Sequence, residues 1–224
     1  MGAPTITTTP AWLGARRRLL GPATLALAAA CWILATWQMD GMDMGVATRL
    51  GPFPSFLAVW IVMMAAMMLP GAAPAVASAR AGHRYSPLVF LSTYLAVWAL
   101  VGAAAYVIYR PHGAQPAAVI VIAAGLYELA PLKRYFRRRC RDGAGSGLRY
   151  GLCCTGSSIG LMAMLLALGV MSIAWMVVIS AVVTAQKLLP GKAAVDVPIG
   201  LVIVGLGAWI AVAPSMIPGL LPAM

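Results

Sequence analysis

The sequence predicts an all-helical bundle that spans a membrane about six times. Three observations predict it. Hydrophobic residues make up 62% of the 224 residues and charged residues only 9%, whereas a water-soluble domain of this length needs a far more charged surface. The apolar residues gather into runs of about 20, the length a helix needs to cross the hydrocarbon layer. No run alternates apolar and polar residues as a barrel strand does, so helices are the reading.

The elements follow in order. Residues 1–15 are polar or small and are expected to form a disordered tail, leaving residues 16–224 as one transmembrane domain. Arg16-Arg17-Arg18 then precedes an apolar run at about 19–37. Basic residues before an apolar stretch that ends in Ala28-Ala29-Ala30-Cys31 have the form of a signal peptide. The run is nevertheless long enough to cross the bilayer and more spans follow, so an uncleaved first span is favoured. The second span is expected at 55–78, kinked by Pro70 and Pro74. The remaining spans are expected at 87–109, 116–132, 156–185 and 196–218.

Net charge is +11. The basic residues sit between apolar runs, where they set topology and meet anionic headgroups, and no nucleic-acid recognition fold accompanies them. Six spans starting in the cytoplasm leave both termini cytoplasmic. They put Arg16, Arg17, Arg18, Arg80, Arg84, Lys133, Arg134, Arg137, Arg138, Arg139, Arg141 and Arg149 inside, and Arg49, Arg110, Lys187 and Lys192 outside. The basic segment around 133–149 is read as a cytoplasmic loop, which docks lipid or protein if the chain is a metal-free assembly subunit.

Four places can carry chemistry. The outer loop Met39-Asp40-Gly41-Met42-Asp43-Met44 combines thioethers with carboxylates and can capture a copper ion; otherwise it is a connector. Met63, Met64, Met67 and Met68 are spaced three and four apart, which stacks four sulfurs along one broad helix face. Thioethers hold Cu(I) when several converge, and they also fill irregular gaps between helices. In the fifth run, Cys154, Ser158 and Met162 share a face, Met164, Met171 and Trp175 form another row, and Cys153 adjoins Cys154. Adjacent cysteines point about 100° apart on a helix, so both reach one ion only where the backbone is irregular. Glu128 lies in an otherwise apolar stretch, and an ionisable group at membrane depth needs a partner: Lys133, a metal, or a polar group on another helix. His83 and His112 fall on opposite sides and form no shared site. No phosphate-binding loop, nucleophile elbow, HExxH or haem attachment motif is present, which gives an enzyme no support.

Trp60-Ile61-Val62-Met63-Met64-Ala65-Ala66-Met67-Met68-Leu69-Pro70 resembles the W-x2-M-x2-A-M-M-x-P signature of a bacterial family of predicted metal-binding integral membrane proteins, domain of unknown function 2182. Some of its members are described as copper chaperones. Gly125 to Lys133 is similar to the family's G-x-Y-[QE]-x-x-P-L-K segment, Cys140-Arg141 to its C-R, and Gly169 to Met176 to its G-V-M-N-x-x-W-M. The likeness runs over about 55–190. Phe136 stands where the family has a cysteine, Ser172 where it has Asn, and Gln186 where it has Glu. Gly151 to Gly156 is only loosely similar to its G-C-C-W segment.

The resemblance implies a multi-pass protein of the bacterial inner membrane that binds, delivers or transports a soft metal, most simply Cu(I). The expected ligands are Met63, Met64, Met67, Met68 and Met171, the outer-loop Met39, Asp40, Met42, Asp43 and Met44, Cys153 and Cys154, and Glu128 to balance charge. The expected partners are the lipid bilayer and a membrane or periplasmic protein. The alternatives are a membrane assembly subunit without metal and a small-solute transporter.

Overall fold

The computed structural model describes residues 11–40, 50–78, 87–142, 146–169, 172–189 and 193–214. Among these residues there are eight helices and no strand. The helices are α1 (Ala11–Met39), α2 (Phe53–Ser78), α3 (Pro87–Ile108), α4 (Ala114–Leu129), α5 (Pro131–Asp142), α6 (Gly147–Gly169), α7 (Ile173–Leu188) and α8 (Ala193–Val212). Five of them are long and apolar enough to cross a membrane, or six if the bent pair α4–α5 crosses as one. That is the all-helical, multi-pass architecture expected from composition. α1 begins at Ala11, inside the segment expected to be a tail.

The spans are not equivalent. In α2 72% of the apolar window is buried and in α6 67%, against 17% in α1 and 28% in α8. α2 and α6 therefore form the centre, and α1 and α8 present apolar side chains such as Ile33, Trp37, Leu201 and Trp209 outward. α2 packs on α1, α3 and α7, and α6 packs on α3, α4, α5 and α7. α8 lies on α4 at very close range: a Cβ on Gly125 would sit 2.7 Å from the backbone nitrogen of Val204, and one on Gly200 would sit 2.6 Å from Leu129. Small residues at these points let the two backbones meet, which drives helix association in an apolar medium.

Two breaks shape the site. At the first, Ala130 is extended (φ −67°, ψ 143°) because the proline ring of Pro131 clashes with a helical residue before it. The chain bends by 64° there. The segment expected to be a basic loop is instead the helix α5, laid across the bundle with Lys133, Arg137 and Cys140 on its buried face. Their spacing of four and three residues is that of one helix face. At the second break, Gly169 (φ 121°) ends α6 in a conformation that favours glycine. The run expected to be one span at 156–185 is thus two helices, α6 and α7.

These breaks set the two ends of the bundle. At one end Tyr106 donates to Gly51 O (2.9 Å), His112 Nε2 meets Ala167 O (3.1 Å), and Gln115 donates to Ala211 O (3.3 Å). At the other, Tyr150 donates to Gly71 O (3.2 Å) and Arg137 donates to Gln186 O and, at 3.2 Å, to Leu189 O. Lys133 and Gln186 are hydrogen-bonded at that second end, 2.9 Å apart. Lys187 therefore shares an end with Lys133, against the expectation that the two lie on opposite sides. The extra turn-back at Gly169 is the reason, and it shifts the side assignment drawn from uninterrupted spans for the residues beyond it.

Candidate metal centre

Met63, Met64, Met67 and Met68 are all inside the bundle, none more than 1% exposed. Their burial follows from the central position of α2. They do not all face one partner. Met67 offers its backbone carbonyl to Ser180 of α7 at 3.4 Å, while the Met68 sulfur lies 3.8 Å from Lys187 Nζ. α7 is therefore the element that covers the C-terminal half of the methionine cluster.

Cys154 approaches the same point from α6. It is fully buried, its sulfur is 3.3 Å from the Tyr94 hydroxyl, and it interacts electrostatically with Lys187. Lys187 Nζ thus lies beside a thioether from α2 and in the field of a thiol from α6, with the hydroxyl of Tyr94 from α3 against the thiol. The stem of Lys187 lies in a slot left by Gly71, where a Cβ would overlap its Cδ. Met68, Cys154, Tyr94 and Lys187 come from four helices and meet only because the Gly169 break returns α7 to this end of the bundle.

Cys153 does not join them. α6 is regular helix through both cysteines, so the two side chains diverge by about 100°. Cys153 is 7% exposed and Cys140, on α5, is 9% exposed with its sulfur 4.0 Å from Ser157 Oγ. No three His, Cys, Asp or Glu side chains come together as a metal site among the described residues.

Glu128 belongs to a neighbouring polar cluster. Lys133 donates to its Oε2 in a fully buried ion pair, and Gln186 donates to the same oxygen at 2.8 Å while accepting from Lys133 at 2.9 Å. Arg137 pairs with Asp196 of α8 alongside. Each carboxylate has a cation, so both charges are compensated inside the apolar bundle, where an unpaired one is costly. Of the three partners weighed for Glu128 from sequence, Lys133 and the polar group on another helix are both present. The Glu128 cluster touches the sulfur cluster through the consecutive residues Gln186 and Lys187.

Other expected residues lie apart. Met39 is buried at the end of α1 and Asp40 is exposed. Met42, Asp43, Met44 and Met171 lie outside the described residues. Four residues of these clusters were not singled out from sequence: Tyr94, Arg137, Lys187 and Asp196. Asp196 carried a signal, as one of only five acidic residues in the chain and next to an apolar run. Phe136, where the resemblance has a cysteine, stands one turn before Cys140, and its ring fills the space beside Gly156, 2.7 Å from where a Cβ would sit.

A family model described as copper chaperone (PpoB2) matches residues 57–210. The chain belongs to this copper chaperone family. The matched region holds the methionine cluster, Cys154, Lys187 and both ion pairs, and it extends through Asp196 into α8. The Met/Asp stretch at 39–44 lies before it in sequence. No curated protein and no solved structure matches the chain.

Proposed function

We propose that this protein holds Cu(I) at the meeting point of Met68 and Cys154 and passes it on, as a multi-pass protein of the bacterial inner membrane. The observation that carries the reading is the convergence of two soft donors, a thioether and a thiol, from separate helices around one cationic side chain. Thioether and thiolate ligands favour Cu(I) among the metals a cell offers. The remaining buried methionines of α2, Met63, Met64 and Met67, extend the soft surface along the same helix, which suits movement of an ion between weak sites. The Glu128–Lys133–Gln186 and Arg137–Asp196 groups have charge partners of their own. They hold α5, α7 and α8 in place rather than bind the ion. Family membership favours binding and delivery over a catalytic role.

The test is Cu(I) binding to detergent-purified protein by competition with a chromophoric chelator. Met68→Leu and Cys154→Ser are each expected to weaken binding at least about tenfold, a change of about 1.4 kcal/mol. Met68→Leu nearly conserves volume, so it is expected to cost under about 1.5 kcal/mol in stability. The number of ions bound separates one site from a chain of sulfurs. Unchanged binding in both variants would reject the site. No binding in the wild type would reject the copper reading and favour a metal-free assembly subunit whose methionines only pack.

A further inference from the structure

We infer that the Lys187 ammonium is a built-in occupant of the Met68–Cys154 position, exchanged for a soft cation of the same single charge. This rests on the copper reading above and names the class of ion that the site takes and how it is let go.

Lys187 Nζ is 3.8 Å from the Met68 sulfur and interacts electrostatically with Cys154, so it neighbours both donors. No carboxylate lies within ion-pair reach of it among the described residues, because Glu128 is paired with Lys133 and Asp196 with Arg137. An amino group placed beside sulfur with no acid near it is an unusual arrangement for a lysine whose charged end points into an apolar bundle, where a carboxylate partner is normal. The stem is also accommodated: Gly71 removes the one side chain of α2 that would occupy its path.

The lysine can leave. It is half-buried and lies in the last turn of α7, beside Leu188 and Leu189, which are 60% and 44% exposed. A long flexible side chain at such a position can carry its charged end to the bundle surface by rotamer changes alone. Met68 and Cys154 are fixed on the two most buried helices and stay where they are. When lysine swings out and a monovalent ion enters, the Cys154 thiol gives its proton to solvent and binds as a thiolate, so the single charge of the ion is met by the sulfur that holds it. A divalent ion would bring a second charge into apolar surroundings with no acid to meet it. The returning ammonium competes with the bound ion, which is what a protein that must surrender its cargo requires.

The experiment uses the full chain in detergent with Cu(I), Ag(I) and Cd(II) as probes, comparing wild type, Lys187→Leu and Met68→Leu. Lys187→Leu is expected to bind Cu(I) and Ag(I) about tenfold or more tightly than wild type, and Cd(II) at equal concentration is expected not to displace Cu(I). Independently of any variant, Ag(I) is expected to raise acylation of Lys187 in the wild type several-fold, read by peptide mass spectrometry, with Lys133 remaining protected. Weaker or unchanged Cu(I) binding in Lys187→Leu, displacement by Cd(II), or acylation of Lys187 that Ag(I) leaves unchanged or lowers would overturn the exchange. If Met68→Leu weakens binding while Lys187→Leu does not strengthen it, the exchange alone fails. If no variant binds Cu(I), both it and the copper reading fail.

Discussion

Separating Glu128 from Lys133 tests the polar cluster that seats α5. Both side chains are fully buried, and Gln186 bonds to each. Glu128→Leu leaves a buried ammonium with no acid, and Lys133→Met leaves a buried carboxylate with only an amide. Breaking a buried pair in this way costs about 3–5 kcal/mol. The double variant removes both charges and leaves Gln186 with unmet amide groups, which costs about 1–3 kcal/mol. The double variant is therefore expected to be more stable than either single one, the reverse of independent sites. The assay is SDS titration in mixed micelles, read by a thiol probe. Cys140, Cys153 and Cys154 are 9%, 7% and 0% exposed and react only when the bundle opens; Cys31, half-buried on α1, is changed to Ala to lower the background. Single variants that lose under about 1 kcal/mol, or a double variant that loses what the two singles lose together, would refute this account of the cluster.

Three further outcomes follow from the geometry. Pro131→Ala is expected to let Ala130 return to helical backbone angles and to loosen α5, so that Cys140 labels several-fold faster with a maleimide; an unchanged rate would mean that Lys133 and Arg137 alone hold the bend. Gly200→Leu is expected to push α8 from α4, because even a Cβ there meets Leu129 at 2.6 Å, and to cost about 1–3 kcal/mol in the same SDS titration. Phe136→Cys puts a thiol one turn from Cys140 on α5, in the position where the family resemblance has one. It is expected to raise the number of Cu(I) ions bound per chain, measured by chelator competition, and an unchanged number would show that this position adds no donor.

Much of the fold was legible because apolar length is a strong signal. α2, α3 and α8 begin within a few residues of where hydropathy put their spans. The misreadings have physical causes. Arg and Lys between Pro131 and Arg141 read as a cytoplasmic loop, since charge alone does not reveal that Lys133 and Arg137 point inward to acids on α4 and α8. The spacing of Lys133, Arg137 and Cys140 was the available clue. Gly169 was hidden because glycine is common inside membrane helices; only its backbone angle shows that it ends one helix and starts a return. That single break explains why Lys187 was sorted to the wrong end and so missed as a neighbour of Met68. The soft donors themselves were legible from residue type, and Glu128 from its depth. What sequence could not give was which methionine meets which cysteine, because that depends on contacts between residues more than eighty positions apart.

The position of α2 has a consequence for how the protein is made. The helix is second in order of synthesis, yet the wall that covers Met67 and Met68 is α7, which leaves the ribosome roughly a hundred residues later. Until then Met67, Met68 and Gly71 lack the cover that Ser180 and Lys187 give them in the folded bundle. The nascent chain thus carries soft donors without the residue that shields them, and a chain stopped before Ile173 would keep them so. Closure of the bundle over these two residues therefore waits on a single short helix.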